Sequence, residues 1–227
     1  MAARAIKNFG FKNLILIRPL CHITDESIYM AMHAKDIVKN ISSYESIGEF
    51  VDDLNISYLI GTTARVGSEK NPLRIAVPIN VLRNILIPTG SRIAILFGNE
   101  ERGLRNEDLQ KCDMVLTIPT SEEYPTLNLS HAVAIVAYEL AHSIQTFREL
   151  PYRPATKLEK EILTKNFSEL IDTIYPDFPE AKRNIYKRII SNMIGRAFLS
   201  GREAHSLIGI TKRIRKLLCL EHRDHPG

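Results

Sequence analysis

Three short stretches of the 227-residue chain gather residues that could hold a ligand or act on it. Gly61-Thr62-Thr63-Ala64-Arg65-Val66-Gly67 follows an apolar run. Its small residues and two hydroxyls let a ligand approach the backbone, although a polar surface loop reads the same way. Phe97-Gly98-Asn99-Glu100-Glu101-Arg102-Gly103-Leu104 follows a second run. Its two glycines permit backbone conformations closed to other residues, and Glu100 brings a carboxylate one residue further on. No Gly-Lys-Ser/Thr follows, so the loop is not a P-loop, and its glycine spacing is not a dinucleotide fingerprint. The third stretch runs from Ile118-Pro119-Thr120 to Pro125-Thr126-Leu127-Asn128-Leu129-Ser130. A polar loop there opens into a helix, whose first N–H groups can hold a ligand's oxygens. Thr126 or Asn128 also suits capping, and both roles can hold together.

A metal centre is not expected. Cys21, Cys112 and Cys219 are odd in number and far apart, and the seven His form no HxxxH or HxxE pair. His131 reads as a packing residue on the helix that opens after Asn128.

These loops need a scaffold. Leu14–Ile17, Tyr58–Ile60, Ile93–Phe97 and Met114–Ile118 are short apolar runs bounded by Gly, Pro or polar residues, as buried strands are. Helical patterns lie between them. Ala2 to Gly10 reads as the later part of a helix, with Gly10 just past its end. Thr24 is expected to cap a helix through Met32, and Ser43 another through Leu54. Pro78 suits the first turn of a helix through Leu86. Asn106 opens a short helix, and Leu129–Phe147 gives the longest one of this half. Such alternation predicts one parallel α/β sheet, and all three loops then lie at the strands' C-terminal ends, where such sheets bind ligands.

The composition, 44% hydrophobic and 25% charged, is that of a soluble globular chain. No apolar run reaches the 18 or so residues of a membrane span. The first ten residues lack the apolar core of a signal peptide, and the cysteine usage suits a reducing compartment, so a cytoplasmic location is expected.

Charge divides the chain. Residues 1–150 hold 15 basic and 17 acidic side chains, and residues 151–227 hold 15 and 9. Pro151-Tyr-Arg-Pro154 makes a stiff joint, with residues 151–156 as linker. Residues 157–227 carry only helical patterns, over Leu158–Ile174, Ala181–Leu199 and Glu203–Leu218. Between Lys182 and Lys216 there are ten Lys/Arg and one acid, Glu203. A solvated helix face would look similar, but the one-sided excess points to a polyanion partner. Lys182, Arg183, Lys187, Arg188, Arg196, Arg202, Lys212 and Arg213 are the candidate contacts to that polyanion, which the resemblance described next makes RNA.

Ala2-Ala3-Arg4-Ala5-Ile6-Lys7-Asn8-Phe9-Gly10-Phe11, then Leu96–Leu104, then Ile118–Leu140 together resemble the three motifs of the SpoU/TrmH methyltransferases of the SPOUT superfamily. The match is closest to the TrmJ-like branch, which modifies tRNA. Gly61–Arg65, Glu123-Tyr124-Pro125 and Ala137-Tyr138-Glu139-Leu140 resemble that branch in particular. The likeness extends more loosely to the tail, where Arg196–Leu199, Glu203 and Leu207–Ile210 resemble its helical extension. The resemblance implies an α/β domain over residues 1–150 with a trefoil knot at its C-terminal edge. It implies S-adenosylmethionine as cosubstrate and no metal. Thr62, Thr63, Gly98, Asn99, Gly103, Ile118, Thr126 and Leu127 would bind the cosubstrate, and Arg4, Glu100, Thr126 and Asn128 would be catalytic.

The implied product is a ribose 2′-O-methylated tRNA, at a pyrimidine of the anticodon loop, position thirty-two. The implied assembly is a homodimer with its active site between subunits. Arg4 matches the motif-one arginine; it is expected to hold the phosphate beside the attacked ribose, since a guanidinium is a poor base. Two alternatives stay open: the same chemistry on ribosomal RNA, and a non-catalytic RNA-binding relative. The family's motif-one asparagine would fall before Met1. A product starting roughly 15–20 residues upstream, enough for a strand and turn at about 3.3 Å per residue, is therefore expected to be more stable.

Overall fold

A computed structural model describes residues 1–64, 66–67, 75–84, 90–146 and 152–224. Arg65 lies outside the described residues, as do the ends of the helices expected through Leu86 and Phe147.

Described in chain order, the strands are β1 (Ile15–Ile17), β2 (Ser42–Tyr44), β3 (Tyr58–Thr62), β4 (Val77–Pro78), β5 (Ile93–Leu96) and β6 (Met114–Thr117). The helices are α1 (Ala2–Asn8), α2 (Asp25–Met30), α3 (Lys35–Lys39), α4 (Ile47–Asp53), α5 (Asn106–Gln110), α6 (Leu129–Thr146), α7 (Lys157–Ile174), α8 (Glu180–Arg196) and α9 (Gly201–Asp224). None of the described helices is long and apolar enough to cross a membrane.

All strand pairs are parallel, but they form two sheets rather than the single one expected. One has the order β4-β6-β3-β5; the other is the pair β1-β2. The difference arises because β5 and β1 each end a sheet, with no described strand pairing their outer edges. β3 is central. Its Tyr58, Leu59, Ile60 and Gly61 are all buried, which is why it reads as an unbroken apolar run. Ile60 stands beside Ile95 of β5 and Met114 of β6.

Several local signals act as read. Thr24 accepts the Ser27 N–H at the start of α2. Gly10, at φ +81°, closes α1; its N–H donates to Lys7 and that of Phe11 to Ile6. Two expectations fail. Ser43 lies in β2, and Ser46 caps α4 instead by accepting the Glu49 N–H. Pro78 ends β4, and a 3-10 turn over Ile79–Asn84 follows where an α-helix was expected. In both places a short parallel pairing overrides the capping signal.

Helices α7–α9 do not stand apart from the α/β part. The buried Lys160 ammonium of α7 reaches Asp113 Oδ1 at 2.6 Å and the Ser57 carbonyl at 2.8 Å, and lies 4.5 Å over the Tyr58 ring. Asp113 Oδ2 accepts the Leu59 N–H at 2.8 Å. Gly195 of α8 lies so close to Asp113 that an added Cβ would fall 2.1 Å from its carbonyl oxygen. Phe198 packs on Tyr58 with ring centroids 4.8 Å apart. Ser57, Tyr58 and Asp113 are at the beginnings of β3 and β6. The helices therefore join the sheet at its N-terminal edge.

The proline-containing joint is itself bonded. Ala155 N–H donates to Leu199 O, and Gly201 N–H to Arg153 O. Thr156 and Glu159 form a reciprocal capping box on α7, and Glu159 takes two 2.8 Å bonds from Arg153.

Candidate active site

The loops after β3, β5 and β6 meet at the C-terminal edge around an open cleft with about 960 Å³ of empty space including its mouth. From the first loop come Thr62, Thr63 and Ala64; from the second, Gly98, Asn99, Glu100 and Gly103; from the third, Ile118, Thr126 and Leu127. The structure thus brings every residue expected at the cosubstrate site to one place. It also adds an apolar floor of Phe97, Leu129, Ala132 and Val136. The spacing 129-132-136 marks one helical face, which the sequence alone presents as ordinary core.

Each loop is locked by its own bonds. Thr62 Oγ1 donates to Leu96 O at 2.8 Å, tying the ends of β3 and β5, and Thr63 N–H donates to Leu116 O at 2.9 Å. Asn99 Oδ1 accepts the Arg102 N–H and Asn99 O accepts the Gly103 N–H, closing the second loop on itself. Gly103 sits at φ +67°, in the left-handed region. A Cβ on Gly98 would fall 1.9 Å from the Gly103 carbonyl carbon, so the loop's close self-approach requires glycine there.

Asn128 connects two of the loops. Its Nδ2 donates to Glu100 Oε1 at 2.8 Å. Its Oδ1 accepts both the Ser130 N–H, at 2.9 Å, and the Ser130 hydroxyl, at 2.7 Å. It therefore serves the start of α6 and the second loop together.

Arg4 is not brought to the cleft. Ala3 and Ile6 are buried in a cluster with Val133 of α6, while Arg4 is exposed with its guanidinium 3.8 Å from Met1 Sδ. Arg4 is not among the residues that line the cleft, although Phe97 and Leu129 both line it and pack against the cluster that holds Ala3 and Ile6 of α1.

None of the eight candidate RNA contacts lines the cleft. On α8, Asp172 takes Lys187 at 2.7 Å and Arg183 at 3.4 Å. Lys182 lies 3.9 Å over the Phe178 ring. Arg188 donates to the Gln110 carbonyl and Arg196 to that of Asn192. Burial lowers the Arg188 pKa from its ordinary value. On α9, Arg202, Lys212 and Arg213 are exposed. Two pairings that the sequence analysis missed are Lys160–Asp113, and Arg18 with the buried Asp108 at 2.7 Å. Nothing local marks either pair, since their partners lie 47 and 90 residues apart.

The cleft offers backbone groups, hydroxyls and an apolar floor. Among the described residues no group of three or more His, Cys, Asp or Glu could hold a metal. A parallel sheet with a loop-built cleft at its C-terminal edge is the architecture in which open α/β proteins hold their ligands. A family model, the SpoU rRNA Methylase family, matches residues 1–138, and the chain belongs to that family.

The chain is 37% identical over 212 residues to the tRNA (cytidine-2'-O-)-methyltransferase TrmJ of Methanocaldococcus jannaschii, covering 92% of this chain and 91% of that protein. It is structurally similar to TrmJ from Z. mobilis, with a TM-score of 0.66 and 24% identity over 94% of this chain and 92% of that one. The SpoU methyltransferase AviRb from Streptomyces viridochromogenes, solved with AdoMet, shares the fold at a TM-score of 0.50 and 18% identity, over 64% and 55% of the two chains.

Proposed function

We propose that this chain transfers a methyl group from S-adenosylmethionine to the ribose 2′-hydroxyl of a tRNA nucleotide, a pyrimidine at position thirty-two of the anticodon loop. The observation that carries the reading is the cleft joined from three motif-bearing loops by Asn128 and Glu100. The identity with a cytidine-specific tRNA relative over nearly the whole chain favours tRNA over ribosomal RNA, and cytidine as the base.

The residues present fit such a cosubstrate. The floor of Phe97, Leu129, Ala132 and Val136 offers an apolar wall for a purine, and the polar loop atoms face the same space. When bound, S-adenosylmethionine supplies an electrophilic methyl group on a sulfonium. Thr62 and Asn99 keep the loops in the shape that receives it, and Gly98 and Gly103 let the backbone come close. Thr126 and Asn128 stand where the third loop meets the cleft and position the acceptor ribose. Holding the acceptor oxygen in line is worth several kcal/mol on its own.

Arg4 holds the phosphate beside that ribose and stabilises charge as it develops on the oxygen. Since Arg4 does not line its own cleft, a second copy of the chain supplies it, and the active species is a homodimer. The strand order, with β6 inserted between the earlier β3 and β4, supports a trefoil knot at this edge.

The test is methyl transfer from labelled S-adenosylmethionine to a tRNA transcript, read as 2′-O-methylcytidine after digestion. Transfer to ribosomal RNA alone would favour the other substrate. Cosubstrate binding without transfer to any RNA would overturn the reading. Full turnover by Arg4→Lys would remove the forked phosphate contact from the scheme.

A further inference from the structure

We propose that the outer face of α9 is the surface that grips the RNA backbone, and that the α8 cations mainly hold the fold together. The proposal rests on the RNA reading above and names the surface that serves it.

The helix has three sectors. Ala204 and Thr211 are buried toward α7, where Asn166 donates to the Thr211 hydroxyl at 3.1 Å; Leu207, Ile208, Arg215 and Leu218 are half-buried on the same side. At about 100° per residue, Arg202, Ser206, Gly209, Lys212, Arg213 and Lys216 fall within roughly 120° on the opposite side. All six are exposed, and His205 at the edge of this face lies 3.2 Å from Glu159 of α7. Between these sectors lies a narrow exposed stripe of Ile210, Ile214 and Leu217.

The side chains of Arg202, Lys212, Arg213 and Lys216 make no hydrogen bond or ion pair with any described residue. The neighbouring acid is engaged elsewhere: Glu203 Oε2 accepts the Ser200 N–H at 2.8 Å and the Ser200 hydroxyl at 2.7 Å. The cations of α8 differ. Arg183 and Lys187 share Asp172, which offsets one of their two charges, Arg188 is fixed on the Gln110 carbonyl, and exposed Lys182 lies over the Phe178 ring. A pair already satisfied within the protein gains little by meeting a phosphate, whereas an unpaired exposed cation releases counterions when it does.

These charges span the 15 residues from Arg202 to Lys216, a rise of about 21 Å, enough to face several successive phosphates. The aliphatic stripe beside them offers a surface for riboses. An anionic membrane would meet the same amphipathic pattern. RNA is the occupant argued here because the cleft of this chain belongs to an RNA-methylase family.

The placement adds a constraint. No residue of α7–α9 lines the cleft, and these helices join the sheet at the edge opposite to it. The α9 face therefore engages RNA away from the nucleotide being modified. A folded RNA benefits from it, and a short stem-loop carrying the target does not.

The experiment uses the full chain and a variant with Arg202→Gln, Lys212→Gln, Arg213→Gln and Lys216→Gln. Binding to labelled full-length tRNA is followed by anisotropy from 50 to 200 mM salt. The expected result is at least a tenfold loss of affinity and a salt slope shallower by about 2–3. A second variant, Arg213→Glu with Lys216→Glu, is expected to weaken binding further per substitution. Arg183→Gln with Lys187→Gln is expected to keep the wild-type slope. Thermal melts confirm that each variant is folded.

Unchanged tRNA affinity and slope in both α9 variants would overturn the proposal. So would loss of binding to phosphatidylserine vesicles with tRNA binding intact. These measurements need no cosubstrate. A wild-type chain that binds tRNA through α9 but methylates none would refute the proposed reaction and leave this surface standing. Normal methylation with binding independent of α9 would refute only the surface.

Discussion

Asn128 Nδ2 lies 2.8 Å from Glu100 Oε1, so a residue at the mouth of α6 is bonded to the loop that follows β5. The same side chain accepts two bonds from Ser130. One amide thus sets the spacing of two walls of the cleft and satisfies a donor at the helix start.

Replacing that amide should separate stability from activity. Asn128→Ala loses a helix-start acceptor, a cost of about 1 kcal/mol and a few degrees in Tm. Methyl transfer should fall at least tenfold, because the second and third loops are no longer held in register. Melting curves and turnover measured on the same preparation check this; wild-type turnover would show that the bridge is dispensable.

Gly98→Ala should be far worse than a methyl group suggests. The added carbon would overlap the Gly103 backbone, and no flexible side chain is there to yield. A cost of about 3 kcal/mol or more is expected, toward the upper end of overpacking effects. Calorimetry should find binding of S-adenosylmethionine lost. Normal affinity in a folded variant would mean that the loop rearranges without cost.

Lys160→Ala should destabilise the protein by about 3 kcal/mol. It leaves Asp113 without its counter-charge at a largely buried site and removes the cation from the Tyr58 ring. Asp113→Asn should cost at least as much, since it leaves the more deeply buried Lys160 ammonium without a counter-charge, and its single amide oxygen can accept from Lys160 or from the Leu59 N–H but not both. Chemical denaturation of both variants measures the costs. Losses well below about 1 kcal/mol in both would argue that charge pairing contributes little there.

Glu159 confers a definite pH dependence. The Arg153 guanidinium first, and then the Thr156 N–H and hydroxyl, hold its carboxyl down to about 2, against an ordinary 4.5. The folded value lies below the unfolded one. The stabilisation is therefore complete above about pH 5 and is lost as pH falls toward 2. Glu159→Gln should cost about 1–2 kcal/mol at pH 7 through the lost charge-assisted bonds. The gap between wild type and variant should close in denaturation series run from pH 7 down to 2.5. A gap constant with pH would contradict the assignment.

Much of the scaffold was legible in the order of residues. Tyr58–Ile60 is apolar throughout because a central parallel strand is covered on both faces. Thr24 and Gly10 mark helix ends because their side chain, or the lack of one, satisfies a local need. Ser43 and Pro78 misled because each carries a good helix-start signal at a place where a neighbouring strand takes the backbone.

The sequence by itself determined four of the six described strands, β1, β3, β5 and β6, and the three loops that follow β3, β5 and β6, and thereby most of the residues that line the cleft. These depend on periods of two to four residues and on the rule that parallel strands point their ends at one edge. Only the tertiary structure decided which charges are free. Lys160, Arg183 and Lys187 have the same chemistry as Lys212 and Arg213, yet Asp113 and Asp172 claim the first three. It also decided that Arg4 does not line its own cleft and that α7–α9 dock at the opposite edge. The physical reason is the same in each case. A charge's partner is chosen by which distant surfaces meet, and no local spacing records that choice.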